Sequence, residues 1–169
     1  LMVSRVVESG LPLIYLNQTG GQDDQIFDGC SFALNPGGEL AALLPMFEES
    51  ITELNLNRTD QGWRIADTVK TKVPDQLEAD YHAMTIALRD YCAKSGFGKV
   101  LLGLSGGVDS ALVATIAADA LGAGNVRCIM LPSEYTSNES LIDAKNMAEN
   151  LGCRYDYLPI AEGCVAITN

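Results

Sequence analysis

The sequence predicts an α/β fold, a partial doubly wound parallel sheet in the second half of the chain, preceded by a segment built almost wholly of strands and turns. Two short apolar runs, "KVLLGL" from Lys99 and "VRCIML" from Val126, are separated by a stretch of helical length that is apolar nearly all round. Strands of that kind joined through a crossover helix pair in parallel, with both faces of the sheet covered. From residue 11 to residue 45 the pattern is one of brief apolar or alternating runs punctuated by glycine, asparagine and proline, as in hairpins.

In chain order, "LPLIYLN" at 11–17 is a short apolar strand, "IFDGCSFAL" at 26–34 alternates, and "NPGG" at 35–38 turns the chain into "ELAALLP" at 39–45. From Phe47 to Pro74 the pattern weakens. Acids gather at Glu48, Glu49 and Glu53, and "NLNRTDQG" is turn-rich, so this stretch reads as a connector with one strand near Trp63. From Asp75 the period becomes helical: Leu77, Tyr81, Met84, Leu88, Tyr91 and Cys92 share one face of a helix over 75–95. Asp75 and Glu78 form its capping signature behind Pro74, and Gly96 is its stop. Residues 109–121 form the crossover helix. "TSNESLIDAKNMAENLG" repeats the helix signals, with Thr136 and Glu139 as a capping pair and Gly152 at the stop, and "RYDYLPI" is a third strand. The expected divisions are 1–46, a connector at 47–74, and an α/β domain over 75–169.

The chain has 169 residues, 47% apolar and 20% charged, enough to bury a core. Its 22 acids against 11 bases leave a net charge of −11, a field that repels nucleic acid and anionic membranes. Five cysteines, Cys30, Cys92, Cys128, Cys153 and Cys164, are odd in number, form no C-x-x-C pair and have a single histidine for company. They read as reduced thiols of a cytoplasmic protein. No apolar run approaches the roughly 18 residues that span a bilayer, and the start "LMVSRVVESG" lacks the basic region, apolar core and cleavage site of a secretory leader. A chain that starts at Leu1 and stops in "AITN" soon after a strand reads as a piece of a longer protein.

The stretch richest in chemistry is "GLSGGVDS", Gly103 to Ser110, at the carboxyl end of the first parallel strand, where open α/β sheets bind their ligands. Adjacent glycines at 106 and 107 allow close backbone approach, and the helix that follows adds unpaired amides and its positive end. Ser105 and Ser110 carry hydroxyl donors, and Asp109 beside an anion site makes sense as a magnesium ligand. A P-loop lacks its lysine, and a dinucleotide fingerprint fails at Ser105. Gly103 to Gly107 does match G-x-S-x-G, the nucleophile elbow of α/β-hydrolases, but His82 lies upstream of it, so the triad cannot close in that order. A pyrophosphate cradle, a hydrolase elbow and a purely structural turn remain open, with the cradle preferred.

"SGGVDS" resembles the PP-loop of the ATP pyrophosphatases (adenine nucleotide alpha-hydrolase-like), which include GMP synthetase, asparagine synthetase, tRNA-modifying enzymes and NAD synthetase. "IMLPSEYTSNESLIDAKNMAENLG", 129–152, is similar to the segment after the second strand of NAD synthetases. "GLPLIYLNQTGGQDDQIFDGCSFALNPGGEL", 10–40, resembles the end of the nitrilase-like glutaminase domain fused ahead of the synthetase in glutamine-dependent members. The resemblance makes residues 1–46 the C-terminal remnant of that glutaminase domain and 75–169 the start of the ATP-binding domain. It implies that ATP adenylates the carboxylate of deamido-NAD and that ammonia, drawn from glutamine in the fused domain, displaces AMP to give NAD. Ser105, Gly106, Gly107, Asp109 and Ser110 would hold the pyrophosphate, with Val108 inside the same loop and Mg²⁺ on Asp109. Gly103 and Leu104 would line the nucleotide approach, and Met130 and Leu131 would flank the adenine, with core packing at least an equal reading for Leu131. The family is oligomeric, so a homo-oligomer is expected.

The glutaminase Cys, Glu and Lys of the family lie before the segment matched here. Cys30 stands in "FDGCSF" where relatives have a second Gly, and it reads as structural. His82 reads as a surface residue, Trp63 as a packing anchor, the acids at 48–53 as a solvated face, and "QDD" at 22–24 as a turn rather than a metal pair. Two alternatives stay beside the main reading: a PP-loop ligase with another acceptor, and a module that holds nucleotide without turnover. The isolated chain is expected to be inactive.

Overall fold

The structure is a computed structural model that describes residues 1–161; Cys164 and the chain beyond Ala161 lie outside the described residues. The chain divides into two compact units, Leu1–Ala87 and Leu88–Asn169.

In the first unit, helix α1 (Met2–Ser9) is followed by strands β1 (Leu13–Tyr15), β2 (Thr19–Gln22), β3 (Gln25–Asp28), β4 (Phe32–Leu34), β5 (Leu40–Leu43), β6 (Leu56–Thr59) and β7 (Gly62–Ile65). β1, β4 and β5 form an antiparallel sheet in that order, and β2–β3 and β6–β7 are separate hairpins. The "NPGG" turn joins β4 to β5 with Gly37 and Gly38 both at positive φ. Asn35, which opens it, does more than turn the chain. Its buried side chain donates from Nδ2 to the Ile65 carbonyl at 2.9 Å and accepts the Ile65 N–H at 2.7 Å, tying β7 to the hairpin. A buried amide satisfied on both ends is worth more than the turn preference that the sequence displays. Ala33, Ala41, Ala42 and Ile65 form the small core beneath it.

The connector holds a hairpin rather than one strand. β6 and β7 pair from Leu56↔Ile65 to Thr59↔Gly62, and the Thr59 hydroxyl closes the turn on the Gly62 carbonyl at 2.9 Å. All four β6 residues are exposed, so no alternation of apolar and polar residues marks the strand. "QDD" is part of the tight β2–β3 turn, with Asp23 at φ 54°. The acids at 48, 49 and 53 and His82 are exposed, as expected. Trp63 is 45% exposed and lines an open recess with Leu11, Pro12 and Leu56, so it anchors only a surface contact.

Helix α2 (Gln76–Ser95) runs from the first unit into the second. The Asp75 carboxylate accepts the Glu78 N–H at 3.0 Å, and Gly96 at φ 76° ends the helix while the Phe97 N–H bonds back to the Cys92 carbonyl at 2.8 Å. The face read as buried is only partly so. Leu77, Met84 and Tyr91 are exposed, whereas Ile86 and Cys92 are buried. Small residues at Ala79, Ala83 and Ala87 share in the packing, and a hydrophobic count overlooks residues that small.

The second unit runs β8 (Val100–Gly103), α3 (Val108–Leu121), a 3₁₀ turn (Ala123–Asn125), β9 (Val126–Met130), α4 (Asn138–Leu151) and β10 (Arg154–Tyr157). The sheet is parallel, in the order β10-β9-β8. Helices α3 and α4 pack on each other and on the sheet, and so share one face of it. Ala114, Ala117, Ala144 and Ala148 face Leu104, Val126, Cys128 and Met130 there, the alanines allowing close approach. Among the described residues α3 and α4 cover one face of the sheet, and the row Leu101, Arg127 and Arg154 lies on the opposite one.

Cys30, Cys92, Cys128 and Cys153 are free thiols. Burial pushes the Cys128 thiol up to about 11 and the Cys153 thiol upward. No described helix is long and apolar enough to cross a membrane.

Cys30 sits at φ 50°, in the left-handed region where a side chain costs on the order of 1 kcal/mol. Cys30→Gly should therefore preserve or raise stability, by up to about 1 kcal/mol, while Cys30→Val should lower it by at least about 1 kcal/mol. Thermal unfolding of the two variants beside the parent checks this.

Candidate active site

β8 delivers the chain to a fixed point. Leu104, 1% exposed, is rooted in the core and its N–H donates to the Ile129 carbonyl at 2.9 Å. The chain then turns through Ser105, Gly106 and Gly107 into α3. Gly106 has φ +83°, and a Cβ there would stand 2.4 Å from the Ser140 carbonyl oxygen and 2.8 Å from its Cα. This position demands glycine twice, by conformation and by space. Gly107 does not: as the N-cap of α3 it has φ −87°, and a Cβ would meet only the Ser105 hydroxyl at 3.4 Å. At Gly103 a Cβ would find nothing within 4 Å, so the space beside the strand end is open.

The two hydroxyls are engaged inside the loop. Ser110 Oγ donates to the Gly107 carbonyl at 2.9 Å, accepts the Ser105 N–H at 3.2 Å and lies 3.0 Å from Ser105 Oγ. Ser105 Oγ accepts the Gly107 N–H at 3.3 Å. The serines thus close the loop on itself. The donors left over are backbone groups: among the described residues no protein acceptor is seen for the N–H of Val108, Asp109 or Ser110, and α3 has no side-chain cap. First-turn amides without partners, aimed along the helix axis, make an anion site.

Asp109 is exposed in that first turn. Among the described residues no group of three or more His, Cys, Asp or Glu could hold a metal, so Asp109 would be a lone protein carboxylate. One carboxylate is compatible with a Mg²⁺ whose other ligands are phosphate and water oxygens. Met130 is 3% exposed and belongs to the core, which leaves Leu131, 45% exposed, as the residue of the pair open to a ligand.

Ser140 is the contact that the sequence did not disclose. It lies in the first turn of α4, whose N-cap is Ser137 and not Thr136: the Ser137 hydroxyl accepts the Ser140 N–H at 3.2 Å. Thr136 Oγ1 instead accepts the Ser133 N–H at 3.0 Å, bracing the preceding loop. The opening turn of α4 therefore forms the wall against which Gly106 rests.

The competing chemistries find no support. Ser105 has hydrogen bonds to Ser110 and Gly107 and none to a histidine, so it has no general base. Cys30 has its thiol pushed up by burial and by Asp28, away from the thiolate a nucleophile needs.

A parallel α/β unit with a glycine loop at the carboxyl end of its first strand, opening into a helix, defines the class. Within it, residues 80–169 match the sequence model of the NAD synthase family, more than half of the chain, and the chain belongs to that family. It is similar to the glutamine-dependent NAD(+) synthetase of Rhodobacter capsulatus, 57% identical over 157 residues, covering 93% of this chain and 28% of that protein. The solved glutamine-dependent NAD+ synthetase of Acinetobacter baumannii, in complex with adenosine diphosphate, superposes with a TM-score of 0.91 at 36% identity, covering 98% of this chain and 31% of the other. The NH3-dependent NAD synthetase of Campylobacter jejuni matches over 56% of this chain, at 30% identity and a TM-score of 0.52. The chain thus spans about three-tenths of the length of the glutamine-dependent enzymes it matches.

The two neighbouring glycines should respond differently to a methyl group. Gly106→Ala should destabilise the chain by more than about 2 kcal/mol or displace the loop, whereas Gly107→Ala should cost about 1 kcal/mol or less. Denaturant unfolding of both variants separates the two outcomes.

Proposed function

We propose that the protein carrying this chain amidates deamido-NAD to NAD at the expense of ATP, with ammonia drawn from glutamine in a fused nitrilase-like glutaminase domain, of which residues 1–46 are the end. The substrate carboxylate attacks the α-phosphorus of ATP and pyrophosphate leaves; ammonia then attacks the acyl carbon and AMP leaves. The observation that carries this reading is the set of unpartnered α3 amides held at the carboxyl end of β8 by the contact of Gly106 with Ser140. The ADP in the A. baumannii relative is a nucleotide of the kind this site would take.

The residues of the chain divide the work. The N–H groups of Val108, Asp109 and Ser110 receive the charge that builds on the departing pyrophosphate, and because they are already in place they need no reorganisation. Ser105 and Ser110 hold those amides in position through their mutual hydrogen bonds. Gly103 leaves room for the nucleotide, Leu104 anchors the loop from below, and Leu131 offers an apolar edge to the adenine. Mg²⁺, which Asp109 would hold, supplies further neutralisation of the phosphate charge. A cytoplasmic location and homo-oligomeric assembly belong to the same proposal. Because the chain spans only part of its relatives, the 169 residues alone are expected to bind nucleotide with little or no turnover.

The test is the full-length protein incubated with ATP, Mg²⁺ and deamido-NAD, supplied with ammonia and then with glutamine. NAD, AMP and pyrophosphate should appear in equal amounts with either nitrogen source; absence of AMP in the presence of deamido-NAD overturns the assignment. Asp109→Ala should lower turnover by about a hundredfold, in line with the loss of one transition-state charge contact. Unchanged turnover in that variant would remove Asp109 from the metal site.

A further inference from the structure

The chain leaves β9 through a turn that is braced by its own side chains. Thr136 Oγ1 accepts the Ser133 N–H at 3.0 Å, the Thr136 N–H returns to the Ser133 carbonyl at 3.2 Å, and Ser133 Oγ accepts the Tyr135 N–H at 3.3 Å. Ser137 therefore enters α4 in a fixed direction, extended at φ −70° and ψ 152°. Its carbonyl accepts the Leu141 N–H at 3.3 Å, and its Oγ accepts the Ser140 N–H at 3.2 Å while lying 3.0 Å from Ser140 Oγ. Without that hydroxyl the Ser140 N–H would be an orphan of the helix end.

The residue held in this way is the one on which the glycine loop rests. A Cβ at position 106 would stand 2.4, 2.8 and 3.0 Å from the O, Cα and C of Ser140, so Gly106 packs on the peptide whose other end Ser137 fixes. Gly107, next in the chain, is the N-cap of α3, and its carbonyl accepts the Ala111 N–H at 3.1 Å. Two helix starts are thus joined back to back through Gly106 and Ser140. A shift of Ser140 would press on Gly106 or leave it unsupported, and close-packed backbone passes such shifts on.

We propose that Ser137 is a positioning residue for the pyrophosphate amides. It touches no substrate; by fixing Ser140 it sets where Gly106 stands, and with it the N–H groups of Val108, Asp109 and Ser110. This inference rests on the nucleotide reading of the glycine loop given above. The same amides answer the charge that grows on the departing pyrophosphate, so a displaced loop lowers turnover at saturating ATP as well as affinity. A cap that served stability alone would lower neither in the folded protein.

Asp75 provides the matched control, since it starts α2 with the same pattern: its carboxylate accepts the Glu78 N–H at 3.0 Å and its carbonyl the Ala79 N–H at 2.9 Å. In the full-length protein, ADP affinity with Mg²⁺ is measured by titration calorimetry, and AMP formation with deamido-NAD and ammonia by steady-state kinetics. Ser137→Ala should lose about fivefold in ADP affinity and about as much in kcat, the size of a lost cap. Ser137→Thr, which keeps the acceptor, should recover most of both, and Asp75→Ala should lose comparable thermal stability with neither quantity changed. Ser137→Cys, of similar size but with a weak acceptor, should fall between Ser137→Ala and the parent, and it decides the matter should Ser137→Ala not fold. A parent protein that forms no AMP counts against the reaction proposed above, while the ADP affinities still decide the role of Ser137. The proposal is overturned if Ser137→Ala and Ser137→Cys match the parent, if Ser137→Thr is as impaired as Ser137→Ala, or if Asp75→Ala loses as much affinity as they do.

Discussion

The site depends on one close approach, that of Gly106 to the backbone of Ser140. A side chain at position 106 would stand 2.4 Å from the Ser140 oxygen, and the residue also holds φ +83°. Without that approach the chain could not fold back from β8 tightly enough to start α3 where it does, and the amides of Val108, Asp109 and Ser110 would not converge. The contact also joins two helix starts, since Ser140 belongs to the first turn of α4. Two helices on one face of a parallel sheet thus meet at their amino ends beside a single loop, and backbone geometry alone supplies the positive potential there.

That arrangement answers an electrostatic problem. In the proposed function a chain with net charge −11 holds a polyanionic nucleotide. No lysine or arginine stands in the loop. The positive end of α3 does the work locally, over distances where whole-molecule repulsion is screened at physiological salt. The hydroxyls of Ser105 and Ser110 stiffen the loop so that these donors need not be ordered when charge develops.

Much of this was legible from residue order. The apolar run "KVLLGL" followed by two glycines and a helical stretch located the strand, loop and helix start of the candidate site, and Asp75, Gly96 and Gly152 marked helix ends where the backbone does turn. What escaped the reading depends on long-range contact. Asn35 looks like any turn residue until Ile65, thirty positions away, is found on both ends of its amide. Ser137 and Thr136 are equally good caps on paper, and only the Ser140 N–H decides between them. The α2 stripe misled because the buried residues of the helix are Ile86, which lies off that stripe, and Cys92, while Leu77, Met84 and Tyr91 are exposed. The serines of the loop carry donors in any reading, but their mutual engagement is a matter of 3 Å geometry that spacing does not encode.

The central claim is that the α3 amides, not side chains, take the phosphates. Hydrogen–deuterium exchange of the full-length protein with and without ADP and Mg²⁺ reads those amides directly. Nucleotide should slow exchange at Val108, Asp109 and Ser110 by at least about tenfold. Undiminished exchange at these three positions, under conditions where nucleotide binding is independently measured, would contradict the account.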